Sequence, residues 1–436
     1  MSAAVRKSFH SLTVPNYRRY FVGQMISLSG TWMQTVAAVW LILTLTGSGV
    51  AVGLTTALQF LPMLLFGAWG GVLADRMSKR KLLIATQALM AIPAVGLFAV
   101  TATGVVAPWM VYLAVFAMGL VNSVDNPTRQ SFVMEMVGPD RVVNAVSLNS
   151  VIVQAARIAG PAAAGLLIAA FGVVPCFAIN ALTFVAMIVA LWGMDPDGLH
   201  RSPVAGREPG AIRAGLRYVL ATPELFVPLA LMALVGTLGF NFQVVLPLLA
   251  KFSFGGGPMT YGVLVSAMAV GSIAGALVNG SHGKTGPRLI AAGALAFGVL
   301  SLLSAAVPSL VLEIPVLAGL GAAAVTFAAT INSTLQLAVS PDMRGRVMAL
   351  YSVVFLGSTP IGGPLVGWLS QAYDPRFALL LAAVSGLAAA WAARVCFARM
   401  QAGRVGGAGG GLGGHSPFLS AEPLPPAPCS LAGVAG

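Results

Sequence analysis

The chain has 436 residues, of which 58% are hydrophobic and 8% charged, with a formal net charge of +12 and a mean hydropathy of +0.89. A soluble domain averages about 25% charged residues, so this composition excludes a water-soluble globular fold. The positive excess does not indicate a nucleic-acid surface, because nearly all Lys and Arg residues fall into alternate loops between long uncharged segments.

Long apolar segments recur along the whole chain, separated by short polar turns. A bilayer core of about 30 Å is crossed by about 20 helical residues, and the segments are roughly that long. They lack the strict alternation of a lipid-facing barrel strand, and a helix satisfies its own backbone hydrogen bonds in lipid. The sequence therefore predicts an all-α membrane protein with twelve transmembrane helices, at residues 20–45, 50–74, 82–103, 108–124, 145–171, 173–194, 225–250, 260–279, 289–307, 310–331, 347–370 and 377–397.

Cationic loops alternate with loops that carry almost no charge, and this asymmetry sets the predicted topology. Because basic loops stay on the cytoplasmic side, both termini are expected in the cytoplasm. The predicted organisation is a cytoplasmic segment at 1–19, a six-helix half at 20–194, a cytoplasmic linker at 195–224, a second six-helix half at 225–400 and a disordered cytoplasmic tail at 401–436.

Four polar side chains recur in the first predicted span at steps of 3, 4 and 3 residues. This spacing places them on one stripe of a helix. A polar stripe is wasteful against lipid, so we expect it to face a central substrate cavity, with hydrogen-bonded helix packing as the alternative. The stripe consists of Gln24, Ser27, Thr31 and Gln34.

The loop after the second span, residues 71–81, reads GVLADRMSKRK. It resembles the signature Gly-x-Leu-Ala-Asp-Arg-x-Gly-Arg-Lys of the major facilitator superfamily, with Ser78 in place of the second glycine. The resemblance implies two six-helix halves around a central cavity. It also implies that Asp75, with Arg76 and Arg80, gates the cytoplasmic side. The alternative is that the basic residues only anchor the loop in the cytoplasm.

Asp125 ends the predicted fourth span, and Arg129 follows four residues later. On a continuing helix, this spacing places the two side chains on one face, where they are expected to form an ion pair. The family resemblance implies that the acid joins the arginines of the loop after span 2 in a charge relay. A simple interfacial ion pair is the alternative.

The fifth span carries Gly160, Pro161 and Gly165, a pattern similar to the glycine-proline signature of exporters in the superfamily. We expect it to bend the span and allow close helix contact. Gln154 and Arg157 precede it, and Arg157 lies near the predicted membrane midplane. We expect both to line the cavity, with Arg157 binding an anionic substrate group. The alternative for Arg157 is a structural role, satisfied by backbone carbonyls near the proline.

The second half repeats motifs of the first at an offset of 202 to 206 residues. Asn126 and Gln130 recur as Asn332 and Gln336, and such parallel repeats of six spans are a known transporter architecture. The repeat predicts a second helix-bend motif at Gly363, Pro364 and Gly367.

The seventh span carries Thr237 and Asn241, four residues apart and therefore on one helix face. We expect them to complete the cavity wall opposite span 1.

Two stretches, DNPTRQSFV at residues 125–133 and RVMALY at residues 346–351, are similar to the bacterial secretion-effector branch of the superfamily, which includes siderophore and macrolide exporters. The resemblance implies export of a small organic molecule, siderophore-like, drug or otherwise hydrophobic, by alternating access with proton antiport, at the bacterial inner membrane. Uptake of a small organic solute, or a membrane receptor or scaffold without transport, are the alternatives.

No pattern in the sequence predicts an enzyme, a cofactor or a metal site. The four histidines lie in predicted tails or loops, and the three cysteines are scattered without metal-ligand spacing. The glycines at residues 409–414 fit a dinucleotide pattern only by letter, because no strand or helix frames them. The expected partners are a small-molecule substrate, membrane lipid and protons, with no nucleic acid and a monomeric chain.

Overall fold

The computed structural model describes residues 10–200, 211–282, 285–340 and 343–407. These residues form helices joined by turns, with no strand among them, and twelve helical segments are long and apolar enough to cross a membrane. The predicted all-α fold with twelve spans is confirmed. Spans 1 to 6 are Pro15–Thr46, Gly49–Arg76, Lys79–Ala102, Pro108–Val137, Val142–Phe171 and Val174–Trp192. Spans 7 to 12 are Pro223–Ser253, Pro258–His282, Pro287–Ala306, Leu310–Ala338, Arg344–Ala372 and Pro375–Gly407.

Span 4 is the span that departs most from its predicted length. The hydropathy pattern ends it at residue 124, whereas the helix continues to Val137. The extension contains Asp125, Arg129 and Glu135, and each of these charges has a partner of opposite sign. Paired charges remain compatible with a long buried helix, which a hydropathy pattern alone does not reveal.

Spans 7 and 11 are interrupted, although the sequence predicts each as one continuous helix. Span 7 breaks between Leu238 and Phe242 and ends in a π-helical turn at Leu249–Ser253. Span 11 divides at Ser358 into two helices of 14 residues each. Both interruptions lie in the second half, and all six spans of the first half are single helices.

The first and last described residues and the linker lie at one end of the bundle, here called the inner end; the opposite end is the outer end. The linker contains an amphipathic helix, Ala211–Ala221, that packs against spans 7 and 11. The last helix runs to Gly407, into the predicted tail. The rest of that tail, and residues 1–9 of the N-terminal segment, lie outside the described residues.

The two six-helix halves meet along two seams, span 2 against span 11 and span 5 against span 8. At the first seam, a Cβ atom placed on Gly53 would overlap the backbone of Gly363. At the second, a Cβ on Gly165 would lie 3.2 Å from the Cα of Gly262. Since both contacts lie toward the outer end, the absence of side chains lets the halves close there.

Candidate functional site

A network of buried polar side chains joins spans 1, 3 and 4 inside the first half. Ser27 donates a hydrogen bond to Oε1 of Gln87 at 3.2 Å. Gln87 in turn donates to Oδ1 of Asp125 at 2.9 Å, and Thr86 donates to the same oxygen at 2.6 Å. Asp125 also forms an ion pair with Arg129, as the four-residue spacing predicts. Three donors inside the half thus face this carboxylate, two at Oδ1 and one at Oδ2.

A second buried group lies along the same stripe of span 1. Nδ2 of Asn180 in span 6 donates to Oε1 of Gln34 at 2.6 Å, and Thr183 donates to Asn180 at 3.0 Å. Gln24 is 4% exposed. The polar stripe therefore packs into the interior of the half, where Ser27 and Gln34 are held by hydrogen bonds. Oε1 of the buried Gln24 has no hydrogen-bond partner among the described residues.

Thr31, the remaining member of the stripe, lines a small cleft. The cleft lies between spans 1, 2, 3 and 4, and its polar lining consists of Thr31, Gln34, Thr35, Gln59 and Asn122. Gln59 and Asn122 were not singled out by the sequence pattern, because each is an isolated amide in its span. Their convergence on Thr31 becomes visible only after the helices are packed.

Arg157 lies halfway along span 5 and is exposed on the surface of the half. Its guanidinium carbon lies 5.2 Å from the ring centroid of Trp32 in span 1. Gln154, one turn earlier in span 5, is half-buried. Trp32 could not be predicted as a site residue, since one aromatic residue in an apolar span forms no recognisable pattern.

The stack on Trp32 does not by itself stabilise a charge at this depth. Placing an arginine at the centre of a transmembrane helix costs about 2.5–3.5 kcal/mol on the lower scale. A cation–π contact recovers about 0.5–2 kcal/mol. Because the cost exceeds the gain, the contact with Trp32 alone does not stabilise the Arg157 guanidinium at this depth.

Thr237 and Asn241 lie at the break in span 7. Asn241 is 1% exposed, and its Nδ2 donates to the carbonyl oxygen of Thr237 at 2.7 Å. Both residues adjoin Gly362 of span 11. The structure thus brings the two predicted residues together inside the second half, and Thr237 is the more accessible of the two.

The predicted gating residues occupy separate positions at the inner end. Arg76 is exposed at the end of span 2, and the side chain of Asp75 lies outside the described part of the structure. Arg80 donates to the carbonyls of Leu191 and Trp192 at 2.7 and 2.8 Å. These are among the last carbonyls of span 6, where a cation is favoured by the helix dipole. In this conformation Arg80 therefore caps span 6 and has no direct bond to Asp125.

Lys79 is the loop cation that reaches span 4. Its ammonium group forms an ion pair with Glu135, and both side chains are about one-tenth exposed. This pair could not be predicted from the sequence, because its two residues are 56 positions apart. The hydropathy pattern also ends span 4 before Glu135. The pair joins the start of span 3 to the inner end of span 4.

Polar contacts close the outer end between the halves. Lys251, in the π-helical turn of span 7, donates to the carbonyl oxygen of Leu43 in span 1 at 3.1 Å. Oε1 of Gln371 in span 11 accepts from the Ser48 hydroxyl at 2.6 Å and from the Val50 amide at 3.2 Å. We call these three bonds the outer latch. Neither Lys251 nor Gln371 was predicted as a site residue.

The predicted helix-bend motifs supply contact surfaces. Gly160 faces the backbone of span 1, whereas Gly165, Gly363 and Gly367 face the opposite half. The helices of spans 5 and 11 continue through Pro161 and Pro364. These glycines therefore allow the backbones of neighbouring helices to approach closely. Among the described residues, no group of three or more His, Cys, Asp or Glu side chains is placed to hold a metal ion.

Comparison with known proteins gives a family match and several relatives. The sequence profile of the transmembrane secretion effector family matches residues 7–404. The staphyloferrin A transporter of Staphylococcus aureus is 24% identical over 265 residues, which are 59% of this chain and 65% of that protein. An enterobactin exporter of Escherichia coli is 26% identical over 83% of this chain and 87% of its own length. Macrolide efflux protein A of Streptococcus pyogenes is 24% identical over 78% of this chain and 86% of its own length. This chain thus spans just under two thirds of the first relative and most of the other two.

Solved structures resemble the chain more in fold than in sequence. The nucleoside transporter NupG superposes with a TM-score of 0.71 at 14% identity, covering 88% of this chain and 99% of that one. A bacterial homologue of the human lysosomal transporter Spinster, in an inward-facing conformation, has a TM-score of 0.68 at 15% identity, covering 87% and 94%. Identities this low show a shared fold and carry no information on substrate.

Proposed function

The chain belongs to the transmembrane secretion effector family of the major facilitator superfamily, and from that premise we propose that it exports a small organic molecule by alternating access. A member of this family is a multi-pass membrane transporter and not an enzyme. We place it in the bacterial inner membrane, with the inner end and both termini in the cytoplasm, because the cationic loops lie at that end.

The two seams between the halves are the observation that carries the proposal. Contacts at the outer end are direct, between glycine backbones and through the outer latch. Two rigid halves that separate at one end while touching at the other expose a central site to one side at a time, which is the requirement for alternating access. Relatives named as a staphyloferrin A transporter and a macrolide efflux protein favour an organic substrate of similar kind.

Proton antiport is the coupling we propose, as the family resemblance implies. Three carboxyl groups are buried in the described spans, and besides Glu135, which is paired with Lys79, two of them are candidates to bind a proton. Asp125 lies within the polar network of the first half, and Glu313 is fully buried near the outer end of span 10, where it accepts a hydrogen bond from Ser304. Their opposite locations make them separable by mutation.

We propose that Asp75, Arg76 and Arg80 hold the inner gate and that Asp125 and Arg129 respond to its movement. Asp75→Asn should then lower flux while the protein still reaches the membrane, because residue 75 lies at the end of span 2, beyond the apolar core. Lys81→Gln is the matched control, since it removes a loop charge without touching the gate. Normal flux through Asp75→Asn would leave the loop with a topological role only.

Flux into and out of liposomes under an imposed pH gradient tests the proposed function. The panel is enterobactin, a macrolide and a nucleoside, measured with purified protein of known orientation. Movement toward the outer face that is driven by acid on that face is the expected result. Movement in the opposite direction would indicate uptake, and movement unaffected by the gradient would exclude proton antiport. Binding without flux would indicate a receptor.

A further inference from the structure

The charges within the spans of the first half are unequally partnered. Asp125 and Arg129 form an ion pair. Arg157, halfway along span 5, has no ion-pair partner among the residues that the structure describes. The middle of the first half therefore carries one positive charge that no neighbouring acid neutralises.

The side chain of Arg157 is partly organised by Trp32. The indole ring covers the guanidinium at 5.2 Å from its centroid. A guanidinium presents five N–H donors in its own plane, so a stack on one face leaves the edge available for a planar, bidentate acceptor. Trp32 is only half-buried, so part of its own surface is also uncovered.

Backbone chemistry makes the same place polar. Pro161 has no N–H and cannot donate the helical hydrogen bond that the carbonyl oxygen of Arg157 would otherwise accept. A free carbonyl and a free guanidinium edge thus belong to one residue. Such a pair is stable where water or a ligand reaches it.

The direction of Arg157 follows from its two glycine neighbours on span 5. Gly160 faces span 1, and Gly165 faces span 8 of the other half. At 3.6 residues per turn these directions are about 140° apart, and Arg157 lies about 60° from Gly160 inside that arc. Gln154 lies inside the same arc, at about 120°. The arc between span 1 and the opposite half thus faces the interface of the two halves, where transporters of this architecture bind their substrates.

We propose that Arg157 and Trp32 form the binding site for an organic anion whose charged group is planar and whose body is flat and apolar. Carboxylates and ionised catechols fit the guanidinium edge, and an aromatic or extended apolar body fits the indole. Gln154 supplies an amide on the same wall. The site rests on the proposed export function, because it names the class of substrate that is moved.

Binding of two dyes with the same ring system tests the proposal directly. Carboxyfluorescein and rhodamine 123 share a xanthene body, and at neutral pH the first is an anion and the second a cation. Fluorescence polarisation with the full chain in lipid nanodiscs gives the dissociation constant of each. We expect saturable binding of carboxyfluorescein that is at least about ten-fold tighter than that of rhodamine 123.

Variants at the two residues separate the anion site from a merely structural arginine. Arg157→Met should weaken carboxyfluorescein binding at least about ten-fold, and Arg157→Lys should fall between it and wild type. Trp32→Leu should weaken binding about three-fold or more, with Trp32→Phe close to wild type. Arg217→Met, which removes an exposed cation from the linker helix, is the matched control and should not change binding.

Three results would overturn the proposal: no saturable carboxyfluorescein binding, tighter binding of rhodamine 123, or wild-type binding by folded Arg157→Met. If Arg157→Met does not fold, the Lys and Trp32 variants decide, since equal binding by all of them contradicts the site. Failure of the export function appears differently, as dye binding that depends on Arg157 without flux in liposomes. Flux of cations alone would retain export and reject the anion site.

Discussion

Positions 125 and 129 of span 4 correspond to positions 331 and 335 of span 10 in the internal repeat, and their chemistry is opposite. In the first half they are Asp125 and Arg129, an ion pair that is also bonded to span 3. In the second half they are Ile331 and Leu335, both fully buried. The same helix in the same fold is thus anchored by charge in one copy and by aliphatic packing in the other.

Aromatic packing replaces polar bonding elsewhere in the second half. Phe240, in the break of span 7, has its ring centroid 5.3 Å from that of Phe297 and 6.3–6.4 Å from those of Phe327 and Phe355. The interrupted spans 7 and 11 both contribute to this cluster, so aromatic packing joins the two broken helices of the second half.

The largest effect is expected when the charged pair of the first half is broken on one side only. Asp125→Ile leaves Arg129 buried without its partner, which should lower the free energy of unfolding by about 3–5 kcal/mol. Thermal or chemical unfolding in detergent measures the loss. The double variant Asp125→Ile/Arg129→Leu copies the residues of the second half and should recover most of the stability, since apolar replacement of a buried pair is often neutral.

Flux through the double variant decides what the ion pair is for. We expect a stable protein that transports poorly, because the proposed relay needs the charges. Wild-type flux would show instead that the pair, like Ile331 and Leu335 at the equivalent positions, only holds its helix.

A smaller loss of stability is expected at the aromatic cluster around Phe240. Phe240→Leu keeps an apolar side chain but removes the ring contacts, and it should cost about 2–3 kcal/mol. Leu58→Ala, a partly buried apolar change in the first half, is a comparison for truncation as such. If Phe240→Leu left both stability and flux unchanged, the cluster would not be what holds the break in span 7.

Contacts that follow local spacing along a helix could be predicted from the sequence, whereas contacts between residues far apart in the chain could not. The Asp125 and Arg129 pair and the glycine contacts of spans 5 and 11 follow local spacing rules and were predictable. Lys79 with Glu135, and Trp32 with Arg157, join residues 56 and 125 positions apart, and no local period reports such contacts. The spacing of the polar stripe in span 1 is visible in the sequence, but its neighbours on spans 3 and 6 determine which way it faces.

The outer latch joins the two halves, and its one cation, Lys251, comes from the second half. Removing that cation should change which conformation is populated. Lys251→Met removes the bond to the carbonyl of Leu43, worth about 1–2 kcal/mol, and should shift the population toward an open outer end by about five- to thirty-fold. Distances between spin labels at the outer ends of spans 1 and 7 measure the shift. Lys251→Arg, which retains a donor, is the control, and an unchanged distance distribution in Lys251→Met would exclude a latch.

The smallest effect on stability is expected at positions where the two halves carry the same residues. There the effect should be equal in the two halves. Gln130 donates to Asn126 at 3.1 Å, and Gln336 donates to Asn332 at 2.5 Å, each bond linking positions four apart on an exposed helix face. Such a pair stabilises a helix by about 0.2–0.5 kcal/mol. Gln130→Ala and Gln336→Ala should therefore lower the free energy of unfolding by the same small amount and leave flux unchanged. A loss several times larger in one half would mean that its glutamine does more than bond to the asparagine one turn earlier, because both copies make that bond.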